Sequence, residues 1–422
     1  SMSRREFARL FAMGGSAAIL SHQTLLGSKP VRMTDPITSA GTVDWKTIRS
    51  QFLMPPELTV LNAANLCPSP APVLETVYNY TKRLDSKPLP SFRAEMREVK
   101  EKTRQQLAEY LRVTPEEILI TRNTSESNNW VSNGLDLRAG DEVVIFSDNH
   151  PSNNEAWKER GKRFGFTVNE VPPLNPHPGF DYYLEAFKKA LTPRTRVLSF
   201  THLSNTVGDL FPAKELCGMA RKRGIITLID GAQSLGLLDV DLSDIQPDFY
   251  SGSAHKWPCG PKETGVLFVN KSIQERFWPS IYSAYKGREG LAQTHEGLGQ
   301  RDTPAIHAFG QQIEFLRKIG QEKIEERSGD FATEIIEELQ KTKGVYIFTS
   351  NQRALRSAVV TFRPANLEPA KVVKALEEDG IVAANLGGDD WAGVRFSPHF
   401  YNSNSDVERA VGAIRRYLRK GL

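Results

Sequence analysis

The sequence predicts an α/β protein in which a large, mostly parallel sheet is wrapped by helices and followed by a smaller α+β domain. Between Ile118 and Val269, short apolar runs alternate with stretches of helical character, which is the order that βαβ units produce. Beyond residue 310 a long amphipathic pattern precedes two further apolar runs. A hydrophobic content of 39% and a charged content of 25% are typical of a globular protein, and 422 residues are enough for two or three structural units.

The individual elements follow from local patterns. A charged amphipathic helix is predicted from Glu95 to Leu111, ending before Pro115, where Thr114 offers an N-cap. Apolar runs bounded by turn residues predict strands over 59–65, 118–121, 142–147, 196–200, 225–230, 265–269, 358–362 and 393–397. Two further helices are predicted over 311–341 and 369–379.

The chain divides into three predicted segments, a signal and linker over 1–44, a large domain over 45–310 and a small domain over 311–422. Arg4 and Arg5, followed by a short Gly/Ala-rich apolar stretch, are typical of a twin-arginine export signal. An ordinary amphipathic N-terminal helix is the alternative. The apolar stretch is far shorter than a membrane span of about 20 residues, so we expect no stable membrane insertion. With a working signal the protein would be periplasmic, and without one cytoplasmic.

Charge and cysteine content exclude several classes of function. The net charge is +4, and no basic stripe with interleaved aromatic residues is present, which argues against nucleic-acid binding. Cys67, Cys217 and Cys259 are widely spaced and show no metal-ligand pattern. We therefore predict neither a disulfide framework nor a metal site.

Lys256 is the main candidate for a reactive side chain. It follows Ser253 and His255 and precedes a Pro/Gly-rich turn, so it lies in a loop edged by hydrogen-bond donors. A desolvated lysine can lose its proton and bind a carbonyl cofactor as a Schiff base, for which pyridoxal 5′-phosphate (PLP) is the natural candidate. PLP needs an acid opposite its ring nitrogen. Asp230, at the carboxyl end of an apolar strand, is the predicted partner.

Two other strand ends carry candidate residues. The strand over 118–121 leads to Thr124 and Ser125, where free backbone N–H groups and hydroxyls at a helix start can form an anion site. Helix capping alone is the alternative for this pair. His150 lies at the carboxyl end of the strand over 142–147, a position that supports a cofactor contact over a plain surface loop.

The strings Ile229-Asp-Gly-Ala-Gln233 and His255-Lys-Trp-Pro-Cys-Gly-Pro261 resemble the class V branch of fold-type I PLP-dependent enzymes. This branch includes cysteine desulfurases, isopenicillin N epimerase-like proteins and hercynylcysteine sulfoxide lyases. The resemblance runs from about Asn62 to the C-terminus. It implies the fold-type I architecture, PLP as cofactor, an amino-acid substrate and catalytic roles for Lys256, Asp230 and His150.

The resemblance also implies cofactor contacts for the remaining candidates. Thr124, Ser125, Ser253 and His255 would hold the phosphate. His150 would stack on the pyridine ring.

Other implied contacts lie at the phenolic oxygen and the substrate. Gln233 would hydrogen-bond the phenolic oxygen, and Asn205 would approach both that oxygen and the substrate carboxylate. Arg395 would clamp the substrate α-carboxylate with two parallel hydrogen bonds. Asn65 and Asn62, in the entry loop, are further candidates for substrate contacts, with an Asx turn as the alternative. His202 is left unassigned.

The implied assembly is a two-fold homodimer with active sites at the interface. Relatives often carry Gly-Thr where this chain has Gly299 and Gln300, and that threonine binds the phosphate of the neighbouring subunit. Gln300 can still donate through its amide, and we include it among the cofactor-binding candidates.

Three reaction outcomes remain open. A cysteine desulfurase needs a nucleophilic cysteine just before the clamp strand, and residues 383–392 contain none, which argues against that activity. Proton removal at Cα can lead to epimerisation, C–S lysis or transamination. An isopenicillin N epimerase-like or C–S lyase-like enzyme is favoured. The alternatives are an exported aminotransferase-type enzyme that modifies a peptide or siderophore side chain, and a PLP-binding protein whose activity has lapsed.

Overall fold

The computed structural model describes residues 33–282, 290–388 and 391–422. The predicted twin-arginine segment lies outside these residues, as do Asp389 and Asp390 of the loop before the predicted clamp strand. None of the described helices combines the length and apolarity that crossing a bilayer would require.

The main sheet has seven strands, and all but one run in the same direction. In sequence order they are β2 Ile118–Thr121, β3 Glu142–Phe146, β4 Thr167–Val171, β5 Thr195–Thr201, β6 Ile226–Asp230, β7 Phe249–Ser253 and β8 Gly265–Val269. Their spatial order is β2-β8-β7-β6-β5-β3-β4. Only β8 is antiparallel to its neighbours β7 and β2. The predicted α/β class with a mostly parallel sheet is confirmed.

Helices cover both faces of this sheet, which explains the nearly unbroken apolar runs of its strands. In β3, Val143 and Ile145 pack into one hydrophobic core while Val144 and Phe146 pack into the other. The helices of this part are α1 Trp45–Ser50, α2 Ala71–Ser86, α3 Phe92–Leu111, α4 Thr124–Gly134, α5 Pro151–Phe164, α6 Phe180–Ala190, α7 Ala213–Arg221, α8 Leu242–Ile245 and α9 Leu291–His295.

The C-terminal part is a four-stranded antiparallel sheet with the order β12-β13-β10-β9. Its elements are α10 Thr303–Ile319, α11 Gln321–Gln340, β9 Val345–Ile347, β10 Val360–Pro364, α12 Pro369–Glu378, β11 Ile381–Val382, β12 Ala384–Leu386, β13 Gly393–Phe396 and α13 Asn404–Lys420. The N-terminal strand β1, Thr59–Val60, pairs in parallel with β11. The segment before the main sheet thus contributes to the C-terminal part.

The long helix predicted over 311–341 is wrong, because the structure has two helices there, α10 and α11. Gly320 separates them with φ +98°, a conformation that glycine adopts without steric cost. The predicted domain boundary after residue 310 falls within α10, which packs against α2 and α3.

Candidate active site

The carboxyl ends of the main-sheet strands open into a cavity of about 240 Å³. Every predicted site residue except Asn62 and Gln300 lines it: Asn65, Thr124, Ser125, His150, Asn205, Asp230, Gln233, Ser253, His255, Lys256 and Arg395. Ala64, Asn123, Ser152 and Ala232 complete the wall and were not singled out from the sequence. The structure therefore brings residues from 65 to 395 to one edge of the sheet, where open α/β folds bind ligands.

Lys256 lies in a tight turn after β7. The backbone N–H of Cys259 donates to the Lys256 carbonyl at 2.9 Å, and that of Gly260 donates to the Ala254 carbonyl at 2.8 Å. The side chain is partly buried and lines the cavity, and the surrounding protein desolvates its amine. This desolvation lowers the pKa of Lys256 to about 8, with Arg395 acting in the same direction and Asp230 opposing it. About a tenth of the amine is therefore neutral at pH 7 and about half at pH 8, and the neutral form is the one that a nucleophile or base requires.

Asp230 is held in a fixed orientation at the end of β6. Its Oδ2 accepts a hydrogen bond from Asn128 Nδ2 at 2.8 Å, and its Oδ1 accepts one from the Ala232 N–H at 3.1 Å. Asn128 Oδ1 in turn accepts from Ser251 Oγ at 2.7 Å. We did not single out Asn128 from the sequence, although its position one helical turn after Thr124 places both on the same face of α4.

The N-terminus of α4, the predicted anion site, lies against the end of β7. Thr124 donates its backbone N–H to Ser253 Oγ at 2.8 Å, and the two hydroxyl oxygens lie 2.7 Å apart. A Cβ on Gly265 would lie 2.6 Å from the Gly252 carbonyl oxygen and 3.0 Å from Asn123 Cα. Glycine at 265 thus allows the start of α4 to approach β7, so that hydroxyls from two elements converge.

Two histidines flank the lysine. His150 caps α5, with Nδ1 2.8 Å from Ser152 Oγ, and its ring is accessible from the cavity. Partial desolvation, Lys256 and Arg395 lower the pKa of His150, against the opposing effect of Asp230. Desolvation and the charges of Lys256 and Lys262 lower the pKa of His255 to about 4. Both rings are therefore neutral at pH 7.

Arg395, on β13, is buried with one edge unpaired. Its Nη1 donates to the Asn205 carbonyl at 2.6 Å and its Nη2 to Asn62 Oδ1 at 3.3 Å. Among the described residues, nothing accepts a hydrogen bond from its Nε. Burial lowers the pKa of Arg395 to about 10, so it remains a cation at neutral pH. Arg395 lines the cavity, and a buried guanidinium at a cavity wall is suited to a carboxylate.

Two candidates lie elsewhere. His202 is buried beside Asp230 in the sheet and is not part of the cavity lining. Gln300 is exposed and does not line the cavity of its own chain. Its segment is fixed instead by Glu296, which accepts hydrogen bonds from Arg104 Nη1 at 2.6 Å and the Ile120 N–H at 2.7 Å. Burial acts to raise the pKa of Glu296, but Arg104 and Lys100 lower it to about 2.

Cys67, Cys259 and His399 form a buried group that the sequence spacing did not reveal. Within the described ranges, this is the one group of three potential metal ligands, with ligand atoms no more than 4.8 Å apart. Both ring nitrogens of His399 already have hydrogen-bond partners. Burial raises the pKa of the Cys259 thiol well above its usual range. The group is therefore interpreted as packing beneath the lysine loop.

A mostly parallel sheet with a lysine, a carboxylate and a helix N-terminus around one cavity defines a fold-type I PLP-dependent enzyme. The aminotransferase class V family model matches residues 60–410, and the chain belongs to this family. The family and the site together indicate PLP as the cofactor.

Curated relatives with different activities match most of the chain. Isopenicillin N epimerase of Amycolatopsis lactamdurans is 29% identical over 390 residues, which cover 88% of this chain and 98% of the relative. A probable cysteine desulfurase of Methanothermobacter thermautotrophicus is 26% identical over 378 residues, covering 82% and 92%.

Solved structures show the same fold. The apo cysteine desulfurase of Thermococcus onnurineus NA1 superposes with a TM-score of 0.82 at 23% identity, covering 93% of this chain and all of that one. A C-DES mutant with glycine covalently linked to its PLP cofactor superposes with a TM-score of 0.80 at 22% identity, covering 87% and 98%.

Proposed function

We propose that the protein binds PLP through a Schiff base at Lys256 and acts at Cα or Cβ of an amino-acid substrate, with isopenicillin N epimerase-like or C–S lyase-like chemistry. One observation carries this proposal: a lysine with a lowered pKa, the carboxylate of Asp230 and the guanidinium of Arg395 line the same cavity. PLP, when bound, supplies an electron sink for negative charge at the substrate Cα.

Lys256 acts as the base in this proposal. Its neutral amine accepts the proton from the substrate Cα, and the ammonium so formed can return the proton. Asp230, fixed by Asn128 and the Ala232 N–H, would pair with the cofactor's ring nitrogen, and its charge would favour the protonated form of that nitrogen. His150 is neutral, so it can cover the ring without adding a competing positive charge.

Arg395 orients the substrate. Its remaining N–H groups bind the α-carboxylate, while the Asn205 carbonyl and Asn62 Oδ1 prevent the guanidinium from rotating. A carboxylate fixed on the β13 side would hold the substrate Cα in the same cavity as the Lys256 amine. Orientation of this kind contributes to the rate because the reacting groups are already aligned when the substrate binds.

The lack of a cysteine in residues 383–392 supports epimerase-like or lyase-like chemistry over desulfuration. Cys67 and Cys259 are buried, and burial disfavours the Cys259 thiolate that a persulfide mechanism would need. Since cysteine desulfurases are among the relatives, the test must include sulfide release.

The test is product analysis with purified, PLP-loaded protein and a panel of amino acids, cysteine conjugates and short peptides. Chiral chromatography detects an epimer, a coupled dehydrogenase assay detects a keto acid, and a thiol reagent detects C–S cleavage. We expect epimer or C–S cleavage product. Keto acid alone would favour the aminotransferase alternative, persulfide or sulfide from free cysteine would favour a desulfurase, and no product with any substrate would favour a lapsed enzyme.

We further propose that the protein is exported, which would favour a peptidic or siderophore substrate. The pair Arg4 and Arg5 before a short apolar stretch supports this proposal. A folded reporter fused behind residues 1–44 should reach the periplasm of a bacterial host. Changing both arginines to lysine should retain the reporter in the cytoplasm, and equal export of both fusions would contradict the proposal.

A further inference from the structure

His399 lies between β13 and α13 and is fully buried beneath the loop that carries Lys256. Its Nε2 lies 2.6 Å from the Trp257 carbonyl oxygen and its Nδ1 lies 3.2 Å from Ser328 Oγ. A carbonyl can only accept, so Nε2 carries the hydrogen and Nδ1 accepts from the serine hydroxyl. Burial lowers the pKa of His399 to about 3, so this neutral tautomer persists over the working pH range.

Trp257, the residue after Lys256, is held by His399 at two points. The histidine donates to its carbonyl, and the two rings pack edge to face with centroids 4.9 Å apart and planes at 89°. The indole Nε1 then donates to Gln233 Oε1 at 2.7 Å. A side chain on the C-terminal segment is thereby connected to a residue of the cavity wall.

The indole fixes which way the Gln233 amide points. Its oxygen faces the indole N–H and its Nε2 donates to the Ala64 carbonyl at 3.0 Å. If the amide were flipped, its NH₂ group would face the indole N–H and its oxygen would face the Ala64 carbonyl. Two donors would then meet at the indole and two acceptors at Ala64, so only one orientation makes both hydrogen bonds. The second hydrogen of Nε2 is then the donor that Gln233 can offer to the cavity.

We propose that His399 is a positioning residue for this site: through Trp257 it sets the amide orientation of Gln233 and the conformation of the peptide next to Lys256. A series of hydrogen bonds thus runs from Ser328 through His399 and Trp257 to Gln233. Ser328, on α11, is its first member and fixes the histidine tautomer. The C-terminal part of the chain thereby controls the hydrogen-bond donor presented to the cofactor. The inference rests on the proposed function only in naming PLP as the ligand that receives this donor.

The first test uses the apoprotein, so it does not depend on the cofactor. Six tryptophans give six indole N–H signals in a protein labelled with ¹⁵N-tryptophan, and Trp257→Phe identifies the signal of Trp257. We expect His399→Phe to shift or broaden this signal while leaving the other five in place. His399→Gln, whose amide can replace the Nε2 donor, should largely restore it. An unchanged Trp257 signal in His399→Phe would overturn the proposal.

The second test measures cofactor affinity by fluorescence titration with PLP. Loss of one hydrogen bond predicts a roughly three- to tenfold weaker affinity in His399→Phe and in Trp257→Phe, with no further loss in the double variant. His307→Phe, which removes a half-buried histidine on α10, is the matched control and should bind PLP normally. Additive losses in the double variant would overturn the link between the two residues.

A second variant and the apoprotein measurement cover the cases in which His399→Phe does not fold or the protein does not bind PLP. If His399→Phe does not fold, Ser328→Ala removes only the donor to Nδ1, and we expect it to shift the Trp257 indole signal in the same direction by a smaller amount; no shift would contradict the proposed series. If the wild-type protein fails to bind PLP, the proposed function fails, whereas the apoprotein measurement still decides whether His399 positions Trp257.

Discussion

At Lys256, desolvation and Arg395 act against Asp230, and the net effect is a pKa of about 8. This value predicts the pH dependence of cofactor loading, because only the neutral amine can attack the PLP aldehyde. The loading rate of the apoprotein should rise with pH and level off above about pH 8. Stopped-flow absorbance at a series of pH values would measure it. A midpoint near 10.5, the ordinary lysine value, would show that the amine is not desolvated.

Replacing Lys256 tests its role in binding the cofactor. In Lys256→Ala we expect the visible absorbance of covalently bound PLP to disappear and proton removal at Cα to fall by at least about 100-fold. Lys262→Ala is the matched control, because Lys262 is an exposed lysine on the same loop. If Lys256→Ala keeps the absorbance while Lys262→Ala loses it, the assignment is wrong.

Arg395→Lys keeps the positive charge and removes the planar fork. We expect kcat/KM for substrates with a free α-carboxylate to fall by roughly 10- to 100-fold, because charge-assisted bidentate contacts are worth about 1.5–3 kcal/mol. Steady-state kinetics with an amino acid and its α-amide would measure this. The amide, which lacks the carboxylate, serves as the control. Equal losses for both would place the clamp elsewhere.

At the scale of elements, residues 296–302 are anchored by the buried pair of Glu296 and Arg104. Glu296→Gln removes the buried counter-charge of Arg104 and leaves it only the exposed carboxylate of Glu101, so it should lower the free energy of unfolding by about 3 kcal/mol. Urea denaturation at several pH values would measure it.

The pH dependence of this loss follows from the sign of the shift. The folded-state pKa of Glu296 is lowered to about 2, so the stabilisation is present above the unfolded value of about 4.3 and is lost as the pH falls toward 2. The difference between wild type and variant should therefore shrink on acidification. A difference that is constant from pH 7 to pH 3 would contradict the assigned cause.

Element types were largely predictable from the sequence because the strands of a doubly covered sheet are short apolar runs between turn residues. The boundary between α10 and α11 could also have been predicted from the sequence. Gly320 comes two residues after Lys318, and helices commonly end at a glycine after basic residues. The pairing of β1 with β11 was not predictable, because two residues of strand carry no pattern and the pairing joins positions more than 300 residues apart.

Residues of the site that lie at strand ends were predictable, as was Arg395 through its motif. Asn128, Trp257 and His399 were missed because their roles depend on contacts between distant segments, such as the 142 residues between Trp257 and His399. Gln300 illustrates the opposite case, a residue assigned by motif position that the single chain leaves exposed.

At the scale of the whole molecule, we propose a two-fold dimer in which Gln300 reaches the phosphate site of its partner. Trp278, Ile281 and Tyr282 support an interface, being 59%, 51% and 76% exposed and close together in the chain. Sedimentation should show a dimer. Gln300→Ala should weaken PLP binding roughly three- to tenfold and Gln300→Thr should restore it. A monomer with unchanged PLP affinity in Gln300→Ala would contradict this arrangement.

Proton exchange at the substrate Cα tests the proposed chemistry most directly. PLP-loaded wild-type protein and Lys256→Ala would be incubated in D₂O with a panel of amino acids, cysteine conjugates and short peptides, and deuterium at Cα followed by NMR. We predict exchange with at least one α-carboxylate substrate in the wild type and none in Lys256→Ala. Equal exchange in both proteins would contradict Lys256 as the base, and no exchange with any substrate would contradict carbanion chemistry at this site.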